Sequence, residues 1–131
     1  MSRLTHSQLE EYILSLPGAW LDYPFGEQAA VYKVGHKDIP GQKERMFALI
    51  AEGTDPVRVS LKCDPAYSIA LQERHSSVSP GYHLNKKHWI TIACDGQLAE
   101  REVQELVRTS YALVTKQPGA IKNNYGDGND S

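Results

Sequence analysis

The stretch with the clearest chemical character runs from residue 74 to residue 94 and contains no Asp or Glu. It carries one arginine, two lysines and three histidines, which are Arg74, His75, His83, Lys86, Lys87 and His88. Cationic side chains neutralise phosphate, and aromatic rings such as those of Tyr82 and Trp89 stack on bases or sugars. The stretch predicts a local contact surface for nucleic acid. The competing interpretation places Trp89 in the core and gives Asn85 the task of satisfying a turn backbone.

Other kinds of chemistry find little support in the residues. The sequence lacks the glycine-rich phosphate loops, the nucleophile elbow and the zinc-protease motif. A Cys–His nucleophile pair can be drawn from Cys63 or Cys94 with His75, His83 or His88, but nothing in the sequence fixes its geometry. The spacing of His83 and His88 suits neither a helix face nor a strand face, so it predicts no metal pair. We therefore expect a binding protein without catalytic residues, metal or cofactor.

Charge and length narrow the class of protein further. The chain has 131 residues, with 14 Lys and Arg against 16 Asp and Glu, for a formal net charge of −2. This balance gives no long-range attraction to a polyanion, so affinity for nucleic acid must come from a local patch. The length predicts one domain. The sequence shows no signal-like or membrane-spanning segment, and its two cysteines lack the spacing of a zinc or redox site. We therefore expect a cytoplasmic location without membrane contact.

The elements that must position the basic stretch begin with a helix. Thr5-His6-Ser7-Gln8 has the spacing of a capping box, and an apolar stripe follows until Pro17-Gly18 stops it. β-Forming residues between turn signals then predict four strands, at Ala29–Val34, Arg45–Ala51, Val57–Lys62 and Trp89–Ala93. Strands enclosed by terminal helices are typical of the α+β class, here a twisted antiparallel sheet with its helices on one face.

Two further helices and a tail complete the prediction. Asp64-Pro65 starts a short helix that runs to about Glu73 and is expected to turn Ala66, Ile69 and Ala70 inward. Residues 76–81 are predicted as a loop, and a long amphipathic helix covers about residues 99–115. The folded domain is expected to span residues 1–117, because residues 118–131 are too polar to order themselves and form a disordered tail.

Two motifs carry a family resemblance. Val59–Pro65 reads V-S-L-K-C-D-P, and Ser79–Trp89 reads S-P-G-Y-H-L-N-K-K-H-W. Together with Pro24-Phe25-Gly26 and the turn at Asp95-Gly96, they resemble the MmcQ/YjbR family of small bacterial proteins in order and spacing. The resemblance covers roughly residues 5–116.

The resemblance implies a frataxin-like (CyaY-like) α+β fold and a DNA-binding role of the "double wing" type, in which sheet and hairpins lie against DNA. Carried over by position and joined by the neighbouring Lys87, the implied nucleic-acid-binding residues are Lys62, His83, Asn85, Lys86, Lys87, His88 and Trp89. The Gly35–Lys43 connection, with Lys37 and Lys43, is longer than the corresponding turn of the family.

A second function from a different class stays open at this stage. His83, Asn85, His88 and Trp89 could line a cleft between the sheet and the short helix and bind a small molecule or a protein. Convergence of the cations on a solvated face favours nucleic acid, whereas a concavity lined by the histidines and Trp89 favours the cleft.

Overall fold

The computed structural model describes residues 3–81 and 84–115. His83 and the predicted tail, residues 118–131, lie outside this part of the chain. The helices are α1 (His6–Leu14), α2 (Pro65–Arg74) and α3 (Glu100–Thr115). The strands are β1 (Trp20–Asp22), β2 (Ala29–Val34), β3 (Arg45–Ala51), β4 (Arg58–Lys62), β5 (Val78–Pro80) and β6 (Trp89–Ala93).

Helix α1 begins at the predicted capping box. The Gln8 backbone N–H donates to Thr5 Oγ1 at 3.1 Å, and the Thr5 backbone N–H donates to Gln8 Oε1 at 2.9 Å. The two bonds satisfy backbone donors that the first helical turn leaves without partners. Leu9 and Ile13 are buried, so the predicted apolar stripe is confirmed.

The six strands form one antiparallel sheet in the order β1-β2-β3-β4-β6-β5. Two of them are short strands that the sequence did not predict. Strand β1 precedes the first predicted strand, and β5 lies within residues 76–81, where the prediction of a loop is wrong. Strand β5 contains Ser79 and Pro80, which have little strand propensity. This segment forms a strand because it pairs with β6, and no local sequence pattern encodes that pairing.

All three helices pack on the same face of the sheet. Leu9 of α1, Leu71 of α2 and Leu106 of α3 belong to one hydrophobic cluster with Ile50 and Leu61 of the sheet. Helix α3 contacts β3 and β4, and α2 contacts β5 and β6. The α+β architecture with helices on one sheet face is thus confirmed.

The orientation predicted for α2 is wrong. Ala66, Ile69 and Ala70 face solvent, with Ile69 59% exposed, whereas Ser68 and Leu71 are buried. Leucine gains more than alanine from burial because it removes a larger apolar area from water. The helix therefore rotates to bury Leu71, and Gln72 Nε2 donates to the hydroxyl of Ser68 at 2.9 Å.

The other face of the sheet carries no helix among the described residues and is called here the open face. Side chains alternate between the two faces along a strand. Ile90 belongs to the cluster on the helix side, so its neighbour Trp89 lies on the open face. Ser60 and Thr91 are also on the open face, where their hydroxyls hydrogen-bond at 2.8 Å. Trp89 is buried, as predicted, but on the face opposite the helices.

Within residues 3–81 and 84–115, no helix has the length and apolar character needed to span a bilayer.

Ser110 joins α3 to the sheet, and its loss is expected to cost about 2–6 kcal/mol. Its fully buried hydroxyl donates to the Phe47 carbonyl at 2.5 Å and accepts from the Lys62 backbone N–H at 2.9 Å. Ser110→Ala would leave both backbone groups buried without this partner, at roughly 1–3 kcal/mol each. Urea unfolding would measure the loss, with the exposed Ser7→Ala as control. Equal stability of the two variants would contradict the assignment.

Candidate nucleic-acid interface

The structure brings Lys62 next to the lysine-rich loop that precedes β6. Lys62, the last residue of β4, lies directly opposite Trp89, the first residue of β6. The Cys63 backbone N–H donates to the His88 carbonyl at 2.9 Å and extends this pairing by one step. Two of the sequence motifs therefore meet at one end of the sheet, although they are far apart in the chain.

Residues 85–88 form a tight turn that displays its polar side chains. Asn85 Oδ1 accepts from the Lys87 backbone N–H at 2.9 Å, and the His88 backbone N–H donates to the Asn85 carbonyl at 3.2 Å. Lys86 Nζ donates to the Gly81 carbonyl at 3.1 Å. All four residues of the turn are exposed. Asn85 thus satisfies a turn backbone, as the competing interpretation expected.

Trp89 supports this turn from the open face. Its side chain is 7% exposed, so the ring has little accessible surface on which a base could stack. Gly81 lies opposite Trp89 and donates its backbone N–H to the Trp89 carbonyl at 2.9 Å. A Cβ at Gly81 would lie 2.6 Å from the Cβ of Trp89, which explains the glycine at this position.

A second loop projects from the same end of the sheet. Val34, the last residue of β2, pairs with Arg45, the first residue of β3, so the loop between them leaves where β2 ends and β3 begins. Because β4 is antiparallel to β3, this is also the end at which Lys62 lies. The loop carries Lys37 and Lys43, both exposed. Their spatial relation to Lys62 was not predicted, since it depends on strand order.

These loops and strand ends together are called the basic end. Its cations are Lys37, Lys43, Arg45, Lys62, Lys86 and Lys87. Its carboxylates are Asp38, Glu44 and Asp64. Asp64 accepts hydrogen bonds from backbone N–H groups at the start of α2, so its charge is used to cap that helix. The basic end is locally cationic in a chain of slightly negative net charge.

The base of the second loop is anchored through Trp20. The indole Nε1–H donates to the Gly35 carbonyl at 3.0 Å, and the ring stacks on His36 with centroids 5.0 Å apart. Within the loop, Gln42 Oε1 accepts from the His36 backbone N–H at 3.0 Å. These contacts fix the direction in which the loop leaves the sheet.

Gly35→Ala is expected to disrupt this anchor and destabilise the protein by about 3 kcal/mol. Gly35 has φ +82°, and a Cβ there would lie 2.1 Å from the Lys43 carbonyl oxygen. The cost combines left-handed strain of about 1–2 kcal/mol with a backbone clash. Gly41→Ala is the matched control, because Gly41 has φ +84° and no atom within 4 Å of that position. If thermal unfolding showed the same loss of stability for Gly35→Ala and Gly41→Ala, the predicted clash would be contradicted.

Lys33 contributes little positive charge to the surface, because two carboxylates neutralise it. Its Nζ lies 2.9 Å from Asp22 Oδ2 and 3.1 Å from Glu44 Oε1, and its side chain is only 15% exposed. The hydrogen bond to Asp22 keeps the pKa of Lys33 above its usual range, although burial opposes this shift. The same hydrogen bond lowers the pKa of Asp22. These three side chains form a structural ion cluster beside the basic end.

Both cysteines are buried and unreactive in their present surroundings. Burial, assisted by the charge of Asp64, raises the pKa of the Cys63 thiol to about 12. Burial and Asp95 raise the pKa of the Cys94 thiol to about 11. The thiolate is the nucleophilic form, so neither residue supplies one near neutral pH. Among the residues described, no three or more His, Cys, Asp and Glu side chains are grouped to hold a metal ion.

Comparison with known proteins identifies a family model described as YjbR, which matches residues 14–113. The Escherichia coli protein YbdF is 34% identical over 109 residues, which cover 83% of this chain and 83% of that protein. The Escherichia coli protein YjbR is 34% identical over 108 residues, covering 82% of this chain and 85% of the relative. Both relatives are described as uncharacterized proteins.

Solved structures are similar over most of the chain. The crystal structure of Deinococcus radiodurans protein DR2400 aligns with a TM-score of 0.80 and 36% identity, covering 95% of this chain and 96% of that one. A crystal structure of a Pseudomonas syringae protein aligns with a TM-score of 0.65 and 25% identity, covering 80% and 94% of the two chains. None of these names states a ligand, and a shared fold does not by itself specify a function.

Proposed function

The chain belongs to the YjbR family, and from that premise we propose that it is a nucleic-acid-binding module that contacts phosphate groups through its basic end. The family match supplies the fold, and the side chains at one end of the sheet supply the argument for the ligand. Phosphate contacts position a protein on a duplex without reading its sequence. The proposed binding is therefore weak and independent of base sequence.

One observation carries the proposal: two lysine-bearing loops leave the same end of the sheet on either side of Lys62. The β2–β3 loop lies on one side of β4, and the β5–β6 loop lies on the other. Neighbouring strands are about 4.8 Å apart, so the centres of the two loops, three strand positions apart, are separated by about 14 Å. The major groove of B-DNA is about 12 Å wide, so two loops at this separation could contact phosphates across it.

The charges elsewhere on the sheet favour this orientation. The opposite end of the sheet carries Glu27, Glu52, Asp55 and Asp95, against two cations: Arg58 at the start of β4, and Arg3, which pairs with Asp55. Carboxylates there repel phosphate, whereas the cations of the basic end attract it. The molecule is thus electrically polar along its strands, although its net charge is close to zero.

The cleft proposed from the sequence gains less support. The ring of Trp89 lies on the face opposite the helices, and Asn85 and His88 lie on an exposed turn. The cavity between α2 and α3 is lined by other residues. With His83 outside the described chain, no geometric observation gathers these four side chains around a ligand.

The proposal is tested by the double variant Lys86→Ala/Lys87→Ala on one short DNA duplex. Affinity for a duplex falls with salt concentration to the power of about 0.9 for each phosphate contact, so two lost contacts at 0.1 M salt weaken binding about 60-fold. The slope of log affinity against log salt should shrink by about two. Fluorescence anisotropy measures both quantities.

Arg3→Ala/Arg101→Ala is the matched control, because it removes the same charge far from the basic end. Arg3 pairs with Asp55 at 3.3 Å, and Arg101 is exposed near the start of α3. The control is expected to change affinity less than 2-fold, since exposed charges beyond the Debye length of about 10 Å at this salt are screened. Equal losses in the two double variants would refute a localised contact surface.

A further inference from the structure

Trp20 and His36 form a stacked pair of rings at the basic end that the proposed function does not use. Their ring centroids lie 5.0 Å apart, with an angle of 14° between the ring planes. Trp20 begins β1 and pairs with Lys33 of β2, and His36 lies in the loop that follows β2. The stack is therefore located where the β2–β3 loop leaves the sheet.

Both partners of the stack are held in place by further contacts. The indole Nε1–H donates to the Gly35 carbonyl at 3.0 Å, and Lys33 Nζ lies 5.4 Å from the indole centroid, within the range of a cation–π contact. The backbone N–H of His36 donates to Gln42 Oε1 at 3.0 Å, and its carbonyl accepts from the Ile39 N–H at 3.0 Å. The imidazole is thus preorganised on the indole.

The outer face of this imidazole is available to a ligand. His36 is exposed, although Trp20 covers one face of its ring. Within residues 3–81 and 84–115, no second ring stacks on His36, and its ring nitrogens make no hydrogen bond to the protein. A flat aromatic group that contacts the outer face would continue the stack as a third ring.

We propose that an unpaired nucleobase stacks on the outer face of His36, so that the basic end binds single-stranded nucleic acid as well as duplex. This inference rests on the proposed function, because the lysines of the basic end supply the phosphate contacts. The bases of a duplex are stacked on one another, so only an unpaired base presents its face to the imidazole. Every base has such a face, so the stacking adds affinity without reading sequence.

The extent of the basic end favours an oligonucleotide over a free nucleotide as the ligand. Strand β1, which carries Trp20, and strand β6, which follows the loop with Lys86 and Lys87, are four positions apart in the sheet, or about 19 Å. At about 3.4 Å per nucleotide, roughly six nucleotides cover this distance. A single nucleotide on the stack would not reach the lysines of the far loop.

The test compares octathymidylate, an abasic octamer with the same phosphates and a blunt duplex as ligands of the full-length protein, by fluorescence anisotropy. His36→Ala should weaken octathymidylate binding about 5-fold or more, as expected for the loss of one base–aromatic stack. Its effect on the abasic octamer and on the duplex should be less than 2-fold. His36→Phe keeps a flat ring and should retain the affinity for octathymidylate within about 2-fold.

His75→Ala is the matched control, because it removes a histidine at the end of α2, away from the basic end. It should leave all three affinities unchanged, and thymidine monophosphate should bind at least 100-fold more weakly than octathymidylate. The proposal is overturned if His36→Ala leaves octathymidylate binding unchanged, weakens the abasic octamer equally, or if the mononucleotide binds as tightly as the octamer. Duplex binding in those cases preserves the proposed function, whereas absence of binding to every DNA would overturn both.

Discussion

Replacing Trp89 with alanine is expected to destabilise the protein by about 3–5 kcal/mol, the range for large aromatic truncations in well-packed interiors. The indole is 7% exposed, and its strand neighbour Ile90 is fully buried on the other face. Gly81, directly opposite, has no side chain that could move into the space left by the indole. Chemical denaturation measures the loss as a lower midpoint with an unchanged dependence on denaturant.

Phe25→Ala is the control for this prediction. Phe25 is 58% exposed, so its truncation should change stability by less than about 0.5 kcal/mol. If Trp89→Ala were as stable as Phe25→Ala, the indole would not support the β6 end of the sheet. The turn at residues 85–88 would then lack the foundation on which its position in the basic end depends.

Removing the lysines of both loops is expected to abolish measurable DNA binding. The variant carries Lys37→Ala, Lys43→Ala, Lys86→Ala and Lys87→Ala, which leaves the buried faces of the sheet unchanged. Each phosphate contact contributes about 8-fold at 0.1 M salt, so losing four weakens binding by more than about 1,000-fold. Starting from a non-specific dissociation constant of about 10⁻⁴–10⁻⁶ M, such binding is no longer measurable.

Each loop can also be tested separately. Lys37→Ala/Lys43→Ala should weaken binding about as much as Lys86→Ala/Lys87→Ala, because each pair removes two contacts. Full affinity after the loss of Lys37 and Lys43 would restrict the interface to the β5–β6 loop. The unfolding midpoint of every variant serves as a control for folding, since surface substitutions usually change stability by less than about 0.5 kcal/mol.

Short-range residue patterns correctly predicted those features that depend mainly on neighbouring residues, such as the start of a helix and its buried face. The capping box at Thr5 and Gln8 predicted the start of α1, and both of its hydrogen bonds are present. The apolar periodicity of α3 predicted which residues it buries, Val103 and Leu106 among them. The buried face of helix α2 was harder to predict, because its ten residues carry two overlapping sets of apolar residues. Only packing against the sheet decides that Leu71 is buried rather than Ile69.

The candidate site was only partly predictable for the same reason. The sequence alone draws attention to Lys62, Lys86 and Lys87, because each lies within one of the two recognised motifs. Their meeting with the Gly35–Lys43 loop depends on strand order, above all on the pairing of β4 with β6, two strands that lie far apart in the chain. The wider frataxin-like grouping and a cytoplasmic location stay predictions.

The most direct test of the central claim is the salt dependence of duplex binding by the unmodified protein. Five lysines of the basic end contacting one phosphate each predict a slope of log affinity against log salt of roughly −4.5. Contact by Lys62, Lys86 and Lys87 alone predicts a slope nearer −3, which would confine the interface to the β5–β6 loop and the adjacent end of β4. Absence of binding at low salt, or affinity that does not depend on salt, would contradict the nucleic-acid function itself.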